Sequence, residues 1–197
     1  VQAPVKLRGY SVTRIEHTTQ KQFKEKTEAF AHSVPTNGVA LVYFIGLGAN
    51  IDRQGKTYNL LRPSDVEIRN EGDYRSRCLN LGELIEALTE ISGSRHNLVF
   101  IDACWDSPIR PDDQNVKGGM KSFDVPAGTL AMFATTSQGT LALPASDAPS
   151  KLAIALAKHL AKHDTSMKAA CEAIRDDIGN AWFGGARDAG IGPAPIA

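Results

Sequence analysis

Neither sign of charge is in excess here: 22 lysines and arginines balance 22 aspartates and glutamates over 197 residues. That balance removes the electrostatic footprint of a nucleic-acid binder or of a protein held on an anionic membrane. Apolar runs long enough to span a bilayer are also missing, and the start shows no leader pattern. Cysteine is scarce, with only Cys78, Cys104 and Cys171, odd in number and widely spaced. They suggest neither a disulfide framework nor a zinc site, and point instead to a reducing, cytoplasmic setting. There are no internal repeats. The expectation is one domain over residues 1–183, followed by a flexible tail over 184–197 that is rich in Gly, Ala and Pro. The first residue is Val1 rather than Met, which suggests a fragment or a processed form.

Against these absences stand three apolar runs of the kind that become buried strands. Asn97-Leu-Val-Phe-Ile-Asp-Ala-Cys104 is the most telling, because it ends in acid, small residue and thiol. Val39-Ala-Leu-Val-Tyr-Phe-Ile45 precedes a glycine-rich turn, Gly46-Leu-Gly-Ala-Asn50, and Gly128-Thr-Leu-Ala-Met-Phe-Ala-Thr135 is the third. A further strand is expected over Gly9–Glu16, where β-branched residues recur. Asp52–Gly55 reads as a hairpin turn with Lys56–Leu61 as its return strand, stopped by Arg62-Pro63. Residues 64–78 are polar and read as a surface excursion.

Helices are expected between the strands. Thr19 with Gln22 spells a capping box, opening a helix with Phe23, Phe30 and Val34 on one stripe, which Pro35–Gly38 ends. Asn80 with Glu83 opens a second, carrying Leu81, Leu84, Ile85, Leu88 and Ile91. Two more follow, at roughly 149–163 and 166–178, the latter with Met167, Cys171, Ile174 and Ile178 as its apolar stripe. About twenty residues from Trp105 to Asp124 show no periodicity, and loops that long are usually functional or disordered. Alternating strands and helices with buried-type strands give an α/β class with a mostly parallel central sheet.

Four ordered signatures carry a resemblance. They are Val39–Gly46, Gly55–Asp65 (Gly-Lys-Thr-Tyr-Asn-Leu-Leu-Arg-Pro-Ser-Asp), Ile101–Pro108 (Ile-Asp-Ala-Cys-Trp-Asp-Ser-Pro), and Pro126–Thr136. In that order they resemble the caspase-like cysteine peptidases of clan CD, in the metacaspase or prokaryotic p20 form. The resemblance implies a three-layer αβα caspase-like fold. It also implies that the family's first strand and helix, expected before Gly9, are missing from this chain.

On the same footing Cys104 stands at the nucleophile position, and the backbone of Gly48 at the oxyanion position. The family's base is a histidine between the two turn glycines, and here that residue is Leu47. Substrate-binding positions implied are Asp102, Trp105 and Ser137. Asp102 would hold a basic side chain, with backbone hydrogen bonding in its loop as the alternative reading, while Trp105 replaces the usual arginine. None of the five histidines substitutes for the base. His96 lies at the wrong end of its strand, His17 is separated from the site by the missing strand, and His32 lies within a helix. His159 and His163 share a helix face at a spacing that could suit a metal but lack further ligands, so no metal is assigned. Calcium is admitted by the family resemblance only, and Asp112-Asp113 and Asp176-Asp177 read as solvated charges.

The expectation is a caspase-like domain that is a pseudopeptidase with a regulatory or protein-binding role, and protein or peptide partners. The alternative is an active endopeptidase cleaving after a basic residue, with a non-standard base or an inactivating His-to-Leu replacement. An unrelated flavodoxin-like domain would need phosphate-binding glycines after its first strand, and none is visible.

Overall fold

A computed structural model of the protein describes residues 9–16, 19–91, 96–105, 115–134, 149–162, 165–179 and 182–185. Helix α1 (Gln20–Ser33) opens on the expected capping box. Thr19 Oγ1 accepts from the Gln22 amide at 3.1 Å, and Gln22 Oε1 accepts from the Thr19 amide at 3.2 Å. These bonds satisfy two donors that a helix start otherwise leaves orphaned.

Strand β1 (Val39–Arg53) turns back through Gln54 and Gly55, both at positive φ, into β2 (Lys56–Arg62). Two successive positive φ angles match the twist of a tight hairpin. Helix α2 (Glu71–Arg77), the two-residue β3 (Leu79–Asn80) and α3 (Leu81–Ile91) then lead to β4 (His96–Trp105). Short β5 (Val116–Gly118), β6 (Thr129–Phe133), α4 (Lys151–Leu160), α5 (Met167–Ile178) and β7 (Trp182–Gly185) complete the described chain.

The strands form one sheet in the order β3-β2-β1-β4-β6-β7, with β5 on the far half of β1. The three central strands, β1, β4 and β6, are parallel, and the flanking pairs are antiparallel. Side chains of β4 alternate between two apolar layers, as period two demands. Leu98 and Phe100 pack with α4 and α5, while Val99, Ile101 and Ala103 pack with α1 and α3. Phe100, at 0% exposed, contributes about 1.5–3 kcal/mol by its burial. This is the three-layer α/β arrangement expected from the uninterrupted apolar runs.

Four local expectations are corrected. Gly46–Asn50 is not a turn but part of β1, whose backbone there pairs with β4 or β5 on one edge and, from Leu47 onward, with β2 on the other. Segment 9–16 forms no strand, although Tyr10 and Val12 pack on the α4/α5 layer. Residues 64–78 are not merely a surface excursion. Asn70 caps α2 by accepting from the Asp73 amide at 3.1 Å, and Val66, Ile68, Tyr74 and Cys78 fill a small core against β1 and β2. The expected tail loses its first two positions, 184 and 185, to β7, and its remainder lies outside the described residues. Cys171 keeps its expected place in the apolar stripe of α5, and burial pushes its thiol up to about 12, with Glu172 adding to the effect.

Asp177 on α5 is an exposed charge, as expected, but it is also paired. Its Oδ2 meets Lys158 Nζ at 2.7 Å and His159 Nε2 at 2.8 Å, tying α5 to α4. Lys158 first and His159 second hold its carboxyl below the ordinary value of 3.8. A carboxyl lowered in the folded state stabilises above the unfolded value and loses that contribution as pH falls through the folded one. Urea midpoints of wild type and Asp177→Asn should therefore differ at about pH 6 and converge towards about pH 2. A gap that is constant with pH would show that the charge is not what couples the helices.

Candidate active site at the carboxyl edge

Parallel pairing decides which residues meet at the carboxyl edge of the central strands. The β1–β4 register runs Tyr43↔Phe100, Ile45↔Asp102, Leu47↔Cys104 and Gly48↔Trp105. Adjacent strands lie about 4.8 Å apart, so the Leu47 backbone is the immediate neighbour of the Cys104 backbone. The two positions read from the sequence as base and nucleophile are thus side by side. The residue in the first of them has no proton to exchange.

Gly48 is buried in the sheet, between Leu61 of β2 and Trp105 of β4. A Cβ there would lie 2.3 Å from Met120 Cε, 3.1 Å from Ala103 Cβ and 3.1 Å from the Leu60 carbonyl oxygen. Any side chain there would have to displace the end of Met120 and crowd Ala103 and the Leu60 carbonyl, so close packing favours glycine. Of Trp105 the described feature is its backbone pairing with Gly48, and Ser137 lies outside the described residues.

Asp102 is 2% exposed and accepts two hydrogen bonds at Oδ2, from Tyr43 Oη at 2.9 Å and from Ser150 Oγ. Among the described residues its partners are hydroxyls of other elements. Ser150 is the N-cap of α4, its Oγ accepting from the Ala153 amide at 3.0 Å, so one hydroxyl serves the helix and the carboxylate together. The positive end of the α4 dipole favours the anion beside it. Burial raises the Tyr43 hydroxyl above its ordinary value, Ser150 opposes this, and the Asp102 charge adds to it, so Tyr43 stays a donor. A substrate cation reaching Asp102 would meet a carboxylate already enclosed by this pair. Tyr43 and Ser150 escaped the sequence reading. The serine does stand where a helix cap belongs, but nothing linear joins it to a residue 48 positions away.

No described histidine replaces the base. His96 opens β4 opposite Val39, eight residues and about 26 Å of extended chain from Cys104. His32 is exposed near the end of α1. His159 is bonded to Asp177 and sits nine residues beyond Ser150, about 14 Å along the axis of α4. His17, His163 and Asp112-Asp113 lie outside the described residues. Among the described residues no group of three or more His, Cys, Asp or Glu is placed to hold a metal ion, and no helix is long and apolar enough to cross a membrane.

The far shore of the site is pinned by amides. Asn59 exchanges two hydrogen bonds with the Lys121 backbone, at 2.7 and 2.8 Å, and Asn50 Nδ2 donates to the carbonyls of Lys117, Gly118 and Gly119 at 3.1–3.3 Å. Lys121 Nζ closes this strap on Asp52 at 2.8 Å.

Comparison with known proteins agrees with the geometry. The family model described as Caspase domain matches residues 5–185. Among solved structures, the chain is similar to caspase-1 from Spodoptera frugiperda, with a TM-score of 0.54 and 15% identity, covering 89% of this chain and 64% of that one. The chain thus spans less than two thirds of that relative's length, and at this identity the likeness carries the fold alone. No curated protein sequence matches it.

The Asp102 clamp is testable. Tyr43→Phe removes one hydrogen bond from a buried carboxylate and should cost about 1.5–3 kcal/mol in urea unfolding. Ser150→Ala removes such a bond and a helix cap as well, and should cost about 1 kcal/mol more than Tyr43→Phe. A smaller loss for Ser150→Ala than for Tyr43→Phe would refute the shared role of that hydroxyl.

Proposed function

Since the chain belongs to the caspase domain family, we propose that it is a pseudopeptidase of that family: a caspase-like domain that retains the cleft architecture and serves a regulatory or protein-binding role. The observation that carries this reading is the pairing of Leu47 with Cys104. Thiol peptidases need a partner that takes the thiol proton and later protonates the leaving amine. An unassisted thiol with pKa near 8.5 is only about 3% thiolate at neutral pH. Losing the acid step costs a further factor of about 10² to 10⁴. The product is a deficit of at least about a thousandfold, and loss of a catalytic histidine in a serine peptidase costs about 10⁶.

Two further features support the reading. The Gly48 backbone is flanked by strands on both edges, which leaves less room for an oxyanion hollow there. The carboxylate two residues before Cys104 is enclosed by Tyr43 and Ser150, so a basic side chain would have to displace hydrogen bonds already made.

An Arg- or Lys-containing fluorogenic peptide should show no turnover above a Cys104→Ala control, with or without calcium. Turnover that depends on Cys104 would overturn the proposal in favour of an active endopeptidase. Leu47→His, assayed alongside, reports on the remainder of the site. Activity recovered in that variant means that the base alone was lacking.

A further inference from the structure

Helices α1 and α3 share one face of the sheet, yet they do not close on each other along their whole length. Between them, α2 and β3 lies a cavity of about 430 Å³, a size typical of small-ligand sites. Its floor is apolar: Phe23 of α1, Leu79 of β3, and Leu84 and Ala87 of α3. Phe23 is seated there by an edge-on contact with Phe44 of β1, their ring centroids 6.3 Å apart.

The rim is charged and unevenly so. Lys21 and Lys24 of α1 and Arg75 of α2 line the cavity, all three exposed. Gln20 Nε2 donates to the Ser76 carbonyl at 3.0 Å, which holds the chain at Arg75 beside the first turn of α1. That bond gathers the three cations at one end. The two carboxylates of the lining do not cancel them. Glu83 is engaged by Asn80, whose Nδ2 donates to it at 3.3 Å. Lys24 forms no ion pair among the described residues, although Glu28 stands four positions further on. Lys21 reaches only Glu25, at 3.8 Å in a well-exposed pair, and such pairs contribute little.

We propose that this cavity binds a small amphipathic monoanion, a carboxylate carried on an aromatic or branched apolar body. Charge specifies the head. Three cations set against two carboxylates leave one positive charge in the lining, and an arginine fork matches a carboxylate in shape. The floor specifies the body, because a ring laid on Phe23 and Leu84 removes apolar surface on both sides from water. The lining follows α1 from Gln20 to Glu28, about 12 Å at 1.5 Å per residue, which suits one ring and a short chain. The cavity uses none of Leu47, Asp102 and Cys104, so its occupancy is independent of the proposed pseudopeptidase role.

The probe is phenylbutyrate, titrated into the 197-residue chain and followed by calorimetry and amide NMR. Saturable binding is expected, with shifts concentrated at 20–28 and 79–87. Phenylbutanol, the same body without charge, should bind about tenfold more weakly, and phenylbutylamine more weakly still. Added salt should weaken only the anion. Lys24→Glu should weaken phenylbutyrate by about tenfold while leaving phenylbutanol unchanged, and Glu28→Lys should tighten it. Both substitutions are at exposed positions of α1, so the fold is not at stake. Ala87→Phe, which fills the floor, should weaken both probes. Absence of saturable binding overturns the proposal. So do equal affinities for the three probes, indifference to Lys24→Glu, or shifts confined to other parts of the chain.

Discussion

The parallel register between β1 and β4 is the constraint on which the rest depends. Ten consecutive residue pairs, from Val39↔His96 to Gly48↔Trp105, lock these strands side by side. A slip of one residue would carry Leu98 and Phe100 into the layer built for Val99 and Ile101, turning every β4 side chain to the wrong helices. The packing of both layers therefore holds Leu47 against Cys104 as a by-product of core formation. Whatever chemistry the carboxyl edge performs or has lost, its two central positions cannot drift apart without unpacking the domain.

Polar groups finish what the apolar layers begin. The α4/α5 layer is anchored to the site by Asp102, whose carboxylate receives hydroxyls from β1 and from the first turn of α4. Burying an anion is costly unless donors meet it, and here two donors and a helix dipole do so. Asn50, Asn59 and Lys121 do corresponding work on the other side, strapping residues 117–121 to the β1–β2 hairpin. Asn50 Oδ1 stays buried without a hydrogen-bond partner among the described residues, a cost offset by the three carbonyls that its amide nitrogen serves.

What was legible in the sequence follows from the range of each signal. Capping at Thr19 with Gln22 and the stripe of α3 depend on residues three or four apart, and both were readable. The three parallel strands were readable because burial on both faces leaves an uninterrupted apolar run. The stretch Gly46–Asn50 misled because two glycines in five residues ordinarily mark a turn. Here Gly48 answers to Met120 and Leu60, which approach from 72 and 12 positions away. Helix α2 was missed because its seven residues bury only Tyr74, too little to leave a period. The pair Tyr43 and Ser150 was hidden for the same reason as Gly48: pairing across the sheet writes nothing into neighbouring residues.

Positions at the site thus divide by what fixes them. At 48, a side chain would crowd Met120, Ala103 and the Leu60 carbonyl, and at 102 a buried carboxylate has donors arranged around it. Both are held by folding whether or not a reaction takes place. Position 47 is different: partly exposed at the sheet's carboxyl edge, it asks of its side chain only that it suit a strand. Leucine meets that demand, and so would an imidazole. Under the proposed function, the residue that separates catalysis from silence is the one on which the fold places least constraint. The side chain at this position can therefore change at little structural cost while the register, the enclosed carboxylate and the glycine around it are kept.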